Sequence, residues 1–379
     1  MKKKKICFVV AVPGSANAFL KDHIAALSNL YDIYLVGSIY DKSDVESLKL
    51  KAWYNIDIQR NISILKDIKA VFELYKYFKK ENFDAVHSLT PKAGLLCAIS
   101  SKFAGISHRI HIYTGQVWAT RHGIMRLLLQ SFDKLIALLD NHLLVDGEPQ
   151  RQFLIENKIL LPTNSLVLGA GSISGVNIQR FAPISNAKKS VRSELKISSD
   201  KLVYCFMGRQ NRDKGIYELF EAFNKLLKEY PNSFLLMYGF DEEGCLTHLS
   251  KFPRIHESEN FLFYGKTNQP ELYLQASDVF CMPSYREGFG TSVLEASCLG
   301  LPVICSDIYG LKDTMVDNVT GLRCKVKDVD SLYIAMKHYA DNPQLAHLHG
   351  ANGRRRVIEN FAGEVITHYW VDWYKTLLK

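Results

Sequence analysis

Apolar runs of a few residues recur along the chain, separated by segments whose hydrophobic positions repeat at helical spacing. Strand-like runs fall at 6–12, 33–37, 85–88, 109–113, 142–145 and 165–168, then at 202–208, 233–239, 261–265, 279–283 and 302–306. Amphipathic periods lie between them at 67–80, 127–139, 217–230 and 329–339. Strand alternating with helix, twice over, predicts an α/β chain of two doubly wound parallel-sheet domains. Ligands of such sheets bind beyond the carboxyl ends of the strands, so the expected site is a cleft between the domains.

The Gly/Ser-rich segment 169–183 (GAGSISGVNIQRFAP) marks the boundary. Its G-x-G-x-x-x-G follows a strand, but the last glycine comes one residue late for a dinucleotide fingerprint and Pro183 blocks a helix beyond it. A hinge is expected there. The predicted domains are 1–175 and 176–360, with 361–379 forming a helix that packs back on the first. At the N-terminus, four lysines, the apolar run 6–12 and Ala16-Asn17-Ala18 imitate a signal peptide. Seven apolar residues are minimal for that role, and the rival reading is a buried strand, a turn at Pro13-Gly14 and a helix capped by Ser15. No apolar stretch reaches the roughly 18 residues that would span a membrane.

Composition narrows the picture. The 379 residues are 47% hydrophobic and 23% charged, ordinary for a globular chain and unlike collagen, a disordered tail or a small disulfide scaffold. The net charge of +8 is lopsided: residues 1–175 hold 22 Lys/Arg against 15 Asp/Glu, the remainder 25 against 24. A basic first half suits an anionic partner such as nucleic acid, a membrane surface or a pyrophosphate. The eight cysteines sit mostly in apolar runs with no C-x-x-C, which predicts buried thiols and a reducing compartment.

Two segments carry chemistry. Pro283-Ser-Tyr-Arg-Glu287-Gly288-Phe289-Gly290-Thr291-Ser292-Val293-Leu-Glu295 leaves a strand, passes two glycines and enters a helix. Free N–H groups at such a helix start suit phosphate, and Glu287 and Glu295 could serve the two ends of one ligand. Met207-Gly208-Arg209-Gln-Asn-Arg212-Asp213-Lys214-Gly215 likewise leaves a strand, and its planar guanidinium and compact ammonium suit a diphosphate. Asp328-Val-Asp330 spells a metal-binding D-x-D, yet it precedes a helix, where Asp330 reads as an N-cap.

Together, the E-x7-E of Glu287 and Glu295, Gly300-Leu-Pro302, the Gly208–Gly215 loop, the Gly171–Pro183 segment and Asn318-Val-Thr-Gly321 resemble glycosyltransferase family 4, across essentially the whole chain. His87-Ser-Leu-Thr-Pro-Lys92-Ala-Gly94 and Thr114-Gly115-Gln-Val-Trp-Ala-Thr-Arg121 resemble its members that build O-antigen and capsule repeat units. The resemblance implies the GT-B fold, retention of configuration, a UDP-sugar donor and no metal or other cofactor. By motif position, Arg209 and Lys214 would hold the donor diphosphate with the amides of Thr291, Ser292 and Val293 and the Gly14 turn. Glu295 would bind the ribose and Glu287 the transferred sugar, with Gly288, Phe289 and Gly290 also meeting the donor. Gly265 and Lys266 would pass the nucleobase, with Gly239 lining the cleft. Lys92, Thr114, Gly115 and Arg121 would meet the acceptor. Where many members have a His that contacts the donor's 6-hydroxyl, Thr114-Gly115 stands here, which points to a 6-deoxy or N-acetylated donor sugar. His111 reads as a strand residue and His122 as a loop residue.

The acceptor implied is a polyprenyl-diphosphate-linked saccharide, used on the cytoplasmic face of the membrane. Residues 66–80 and 121–144 are the stretches able to meet anionic lipid, although an apolar stripe is commonly core. The near-neutral second half fits a localised anion site rather than a nucleic-acid groove. The rivals are a nucleotide-sugar epimerase or phosphorylase on the same fold, and a secreted two-domain sugar-binding protein.

Overall fold

The computed structural model describes every residue except Met1, Arg60 and Glu257. Contacts divide the chain into two units, Met1–Gly175 with Gly363–Lys379, and Val176–Ala362.

The first unit carries β1 (Lys5–Val9), α1 (Pro13–Phe19), α2 (Lys21–Leu27), β2 (Asp32–Gly37), β3 (Ala52–Asn55), α3 (Ile64–Glu81) and β4 (Ala85–Leu89). It continues through α4 (Pro91–Ala104), β5 (His108–Tyr113), α5 (Gly123–Leu139), β6 (His142–Val145), α6 (Glu148–Glu156) and β7 (Ser165–Leu166). All seven strands are parallel, in the order β3-β2-β1-β4-β5-β6-β7. A parallel sheet is covered on both faces, which explains the unbroken apolar run at its start. Ile6, Phe8 and Val10 enter one core, while Cys7, Val9 and Ala11 enter another beside Ala70, Leu74 and Phe78.

The second unit carries α7 (Ala187–Glu194), β8 (Leu202–Met207), α8 (Ile216–Glu229), β9 (Ser233–Tyr238), α9 (Pro253–His256), β10 (Phe261–Gly265) and α10 (Pro270–Tyr273). Then come β11 (Val279–Met282), α11 (Thr291–Cys298), β12 (Val303–Ser306), α12 (Tyr309–Lys312), β13 (Gly321–Cys324), α13 (Val329–Asp341) and α14 (Pro343–Asn360). Its six parallel strands run β10-β9-β8-β11-β12-β13. The order reverses between β8 and β11, so the loops leaving those neighbours diverge and open a crevice at their carboxyl ends. The last helix, α15 (Gly363–Leu377), is part of the first unit.

Several local expectations are corrected. The edge strands β3 and β13 escape the apolar pattern, because three of the four β3 residues are exposed and β13 carries Arg323. Helix α1 starts at Pro13 with Val12 as its N-cap, not at Ser15, since proline is preset for the first helical position. Asp328, not Asp330, caps α13: its carboxylate accepts the Ser331 N–H at 2.9 Å, and Asp330 pairs with Lys225 at 2.8 Å. The eight cysteines are all buried and unpaired.

Candidate active site

The switch between β8 and β11 brings two sequence-distant loops together. Gly215 sits at φ +69°, and a Cβ there would lie 2.1 Å from the Pro283 carbonyl, so only glycine lets the loop after β8 press against the loop after β11. Tyr285 N–H donates to the Asp213 carbonyl at 2.7 Å, closing the same contact. Lys214 Nζ consequently meets Glu287 Oε1 in an ion pair, with 17% and 13% of the two side chains exposed. Ser284 Oγ donates to the same carboxylate oxygen at 2.8 Å. Two residues that the sequence placed in an open cleft are thus a half-buried pair.

Arg209, on the same loop as Lys214, is exposed. Its Nη1 stands 2.8 and 2.9 Å from the two oxygens of Glu242, and Asn211 Nδ2 donates to Glu242 Oε2 at 2.7 Å. The segment after β9 lies alongside because the pairing outlasts the strands: Gln210 N–H donates to Phe240 O at 2.8 Å and Glu242 N–H to Gln210 O at 3.0 Å. Gly239 permits that approach, with φ +127° and a would-be Cβ 1.9 Å from the Gly208 carbonyl. Its N–H reaches Gly265 O at 2.8 Å, and Lys266 lies 4.7 Å above the exposed ring of Phe240.

Helix α11 begins beside Glu287 and Gly288, with Gly290 as its N-cap. Val293 N–H turns back to Gly290 O at 2.9 Å and its side chain is core, which leaves Thr291 and Ser292 to offer amides at the helix start. Phe289 is buried against Phe361 at 5.7 Å, so it holds the loop and does not present a ring to solvent. Glu295, one turn further on, is half-buried. Loss of solvent pushes its carboxyl up to about 7; Arg180 pulls back and Glu271 adds to the rise. Arg180 also donates to Glu271 at 2.9 Å and to Asn268 O at 2.9 Å, tying the Lys266–Asn268 loop to this neighbourhood.

The remaining predicted site residues belong to the first unit. Gly14 is exposed in the first turn of α1. Lys92 is committed to Asp67 at 2.5 Å and to Asn61 O at 3.0 Å. Thr114 and Gly115 follow β5 directly, and Arg121 is exposed before α5. His111 lies on β5, where Ser88 Oγ is 2.8 Å from its Nδ1, and His122 is the N-cap of α5. Sequence reasoning missed Glu242, Asn211, Ser284 and Arg180. The acidic run Asp241-Glu242-Glu243 at a strand's carboxyl end was the one available signal. Among the described residues, no three His, Cys, Asp or Glu side chains gather as a metal site.

Residues 187–356 match the family model for glycosyl transferases group 1. The capsular polysaccharide biosynthesis glycosyltransferase CapM of Staphylococcus aureus is 27% identical over 380 residues, spanning 100% of this chain and 99% of the relative. A UDP-Gal:alpha-D-GlcNAc-diphosphoundecaprenol alpha-1,3-galactosyltransferase of Escherichia coli is 26% identical over 372 residues, 95% of this chain and 93% of that one. Among solved structures, sucrose-phosphate synthase from Thermosynechococcus elongatus superposes with TM-score 0.81 at 20% identity, covering 99% of both chains. Anabaena Alr3699/HepE in complex with UDP does so with TM-score 0.80 at 16% identity, covering 98% of this chain and 100% of that one. These likenesses carry the fold, and the group 1 match falls on the unit that joins Lys214 to Glu287. By fold this chain is a GT-B protein, and over residues 187–356 it resembles the group 1 glycosyltransferases.

Proposed function

We propose that the chain is a retaining, metal-independent family 4 enzyme that moves a sugar from a UDP-sugar to a polyprenyl-diphosphate-linked saccharide in surface-polysaccharide assembly. The observation that carries this reading is the Lys214–Glu287 pair at the β8/β11 switch, beside the start of α11, with Arg209 on the same loop as Lys214. Support for the donor comes from the UDP-bound neighbour, and for the acceptor from relatives named for capsule and diphosphoundecaprenol chemistry.

In this mechanism Arg209, Lys214 and the amides of Thr291 and Ser292 hold the diphosphate. When the bond from the sugar's anomeric carbon to phosphate breaks, its electron pair stays on the phosphate oxygen. Preorganised cations and amides bind that growing charge more tightly in the transition state than in the ground state. The acceptor hydroxyl forms its bond on the face the phosphate leaves, and its proton passes to the departing phosphate oxygen. Neither an enzymatic nucleophile nor a metal enters the balance. Glu287 orients the transferred sugar, Glu295 accepts from the ribose hydroxyls, and the Gly265–Lys266 turn passes the base beside Gly239. Lys92, Thr114, Gly115 and Arg121 serve the acceptor, and Thr114-Gly115 favours a 6-deoxy or N-acetylated donor sugar.

The enzyme works as a peripheral protein on the cytoplasmic face. Helices α3 and α5 both begin at the carboxyl edge of the first sheet, with α4 packed against each. Their opening turns expose Ile64, Leu65, Ile68 and Phe72, and Ile124, Met125 and Leu127, interspersed with Lys66, Lys69, Arg121 and Arg126. Meanwhile α5 buries Asp133, which accepts from Trp118 Nε1 at 2.7 Å, so the helix turns much of its apolar side outward. An apolar surface ringed by cations suits anionic lipid.

A nucleotide-sugar screen with a lipid-linked acceptor pool tests the activity. Expected are transfer from UDP-linked 6-deoxy or N-acetylated hexoses, full activity in EDTA, and at least about a hundredfold loss in Glu287→Ala and Lys214→Ala, in line with single electrostatic groups. Each substitution strips the partner from a half-buried charge, so folding is checked alongside. A clear preference for UDP-glucose would overturn the donor class, and activity lost to EDTA and restored by manganese would overturn metal independence. UDP released without acceptor turnover would favour hydrolysis or epimerisation.

A further inference from the structure

Three cations on the loops leaving β8 and β11 are each paired with an anion. Lys214 is taken by Glu287, Arg286 lies 3.5 Å from Asp213, and Arg209 is held by Glu242. These pairs differ in kind. Glu287 belongs to the loop that meets the sugar, whereas Glu242 comes from the separate acidic segment Asp241-Glu242-Glu243 after β9. That segment is built to stay. Asp241 accepts the N–H groups of Cys245 and Leu246 at 2.7 and 3.1 Å, and Glu243 accepts the Arg212 N–H at 2.9 Å. The backbone bonds through Gln210 fix Glu242 between them. Its carboxylate presents two oxygens to one guanidinium nitrogen, much as a phosphate would.

We infer that Glu242 is a positioning residue for Arg209: it holds the guanidinium when the site is empty and exchanges it for the donor's diphosphate. The inference rests on the proposed nucleotide-sugar reading and adds to it a reason why product can leave. A nucleoside diphosphate carries more charge than one carboxylate, so it wins Arg209 on arrival. After transfer the same carboxylate competes for the guanidinium and weakens the hold on product. Both side chains are substantially exposed, at 56% for Arg209 and 38% for Glu242, so the competition is modest and screened by salt.

Titrating UDP into the full chain by calorimetry, with initial-rate kinetics on the donor, tests this. Glu242→Gln keeps the shape and removes the charge. It is expected to bind UDP about two- to fivefold more tightly, the scale of one exposed ion pair. Its affinity should fall more steeply with salt, and both the KM for donor and kcat should decrease. In an Arg209→Ala background the same substitution should change UDP affinity by less than its effect in wild type, because nothing remains to exchange. Weaker or unchanged UDP binding in Glu242→Gln would overturn the inference. So would an equal gain in the Arg209→Ala background, which would make the effect one of general charge. A wild-type chain that binds no nucleoside diphosphate would instead overturn the donor reading itself.

Discussion

Glu295 shows how burial, not residue type, sets a side chain's behaviour. An ordinary glutamate ionises near 4.5, whereas this carboxyl keeps its proton to about 7 because α11 draws it from solvent. Between those values the unfolded chain is ionised and the folded one is not, so this group's contribution to stability falls as pH rises through the window. Glu295→Gln should therefore lose less stability than wild type between about pH 5 and about pH 8, read by chemical denaturation. In the proposed role, where Glu295 accepts from the ribose hydroxyls, the ionised carboxylate is the stronger acceptor, so UDP affinity of the wild type should rise over the upper part of the same range. The Gln variant should bind more weakly and without that slope; an unchanged slope would assign the titration to another group. Sequence spacing located Glu295 on a helix. Its raised carboxyl was not legible: burial is the leading cause, and the charges of Arg180 and Glu271 that modify it come from segments far away in the chain.

At the scale of elements, α15 is seated by His23, which the sequence reading passed over, and His87, which entered it only as part of a family-like motif. His23 stacks on Trp370 at 4.4 Å and His87 stacks on it at 5.0 Å. His23 Nε2 lies 2.6 Å from Ile173 O and must carry the proton there, leaving Nδ1 to accept from Thr367 Oγ1 at 2.9 Å. His87 Nδ1 lies 2.7 Å from the Tyr374 hydroxyl. Burial lowers His23 to about 4 and holds His87 well below its ordinary value. Stability from His23 is thus present above its unfolded value of 6.5 and lost as pH falls towards 4. His23→Phe keeps the stacking and removes the titration. It should be less stable than wild type near neutrality, by roughly 1–3 kcal/mol for the lost bonds, with the gap narrowing as pH falls through the window. Thermal melts across pH read this directly, and a constant gap would exclude His23 as the titrating group. Strand-helix alternation was readable because buried parallel strands form unbroken apolar runs. The edge strands β3 and β13 were not, since an edge strand need not be apolar on both faces.

For the whole molecule, the uneven charge and the exposed apolar turns of α3 and α5 belong to one prediction. No helix among the described residues is long and apolar enough to cross a membrane, and the prediction is of interfacial binding through these exposed turns. Sedimentation with vesicles of anionic lipid should capture the chain at low salt and release it steeply as salt rises. Replacing Leu65 and Ile124, 83% and 85% exposed, by serine should weaken capture several-fold and leave thermal stability nearly unchanged, because neither side chain is packed. Capture that ignores salt, or that survives both substitutions, would remove this surface from the argument. Here the sequence indicated the stretches but not which side of each faces solvent. An apolar stripe reads the same whether it faces a core or solvent, and buried Asp133 on α5 is what reveals the inversion.

The sequence by itself determined the class of architecture, the loops that form the candidate site and the resemblance to group 1 glycosyltransferases. Those features are local: alternating periodicities, glycines at strand ends, and carboxylates eight positions apart. Only the tertiary structure decided which charges meet. Sheet order made neighbours of β8 and β11 although more than seventy residues separate Lys214 from Glu287, and continued β8–β9 pairing brought Glu242 to Arg209. Pairing, burial and the resulting protonation depend on neighbours that the chain supplies from afar, and no local pattern encodes them.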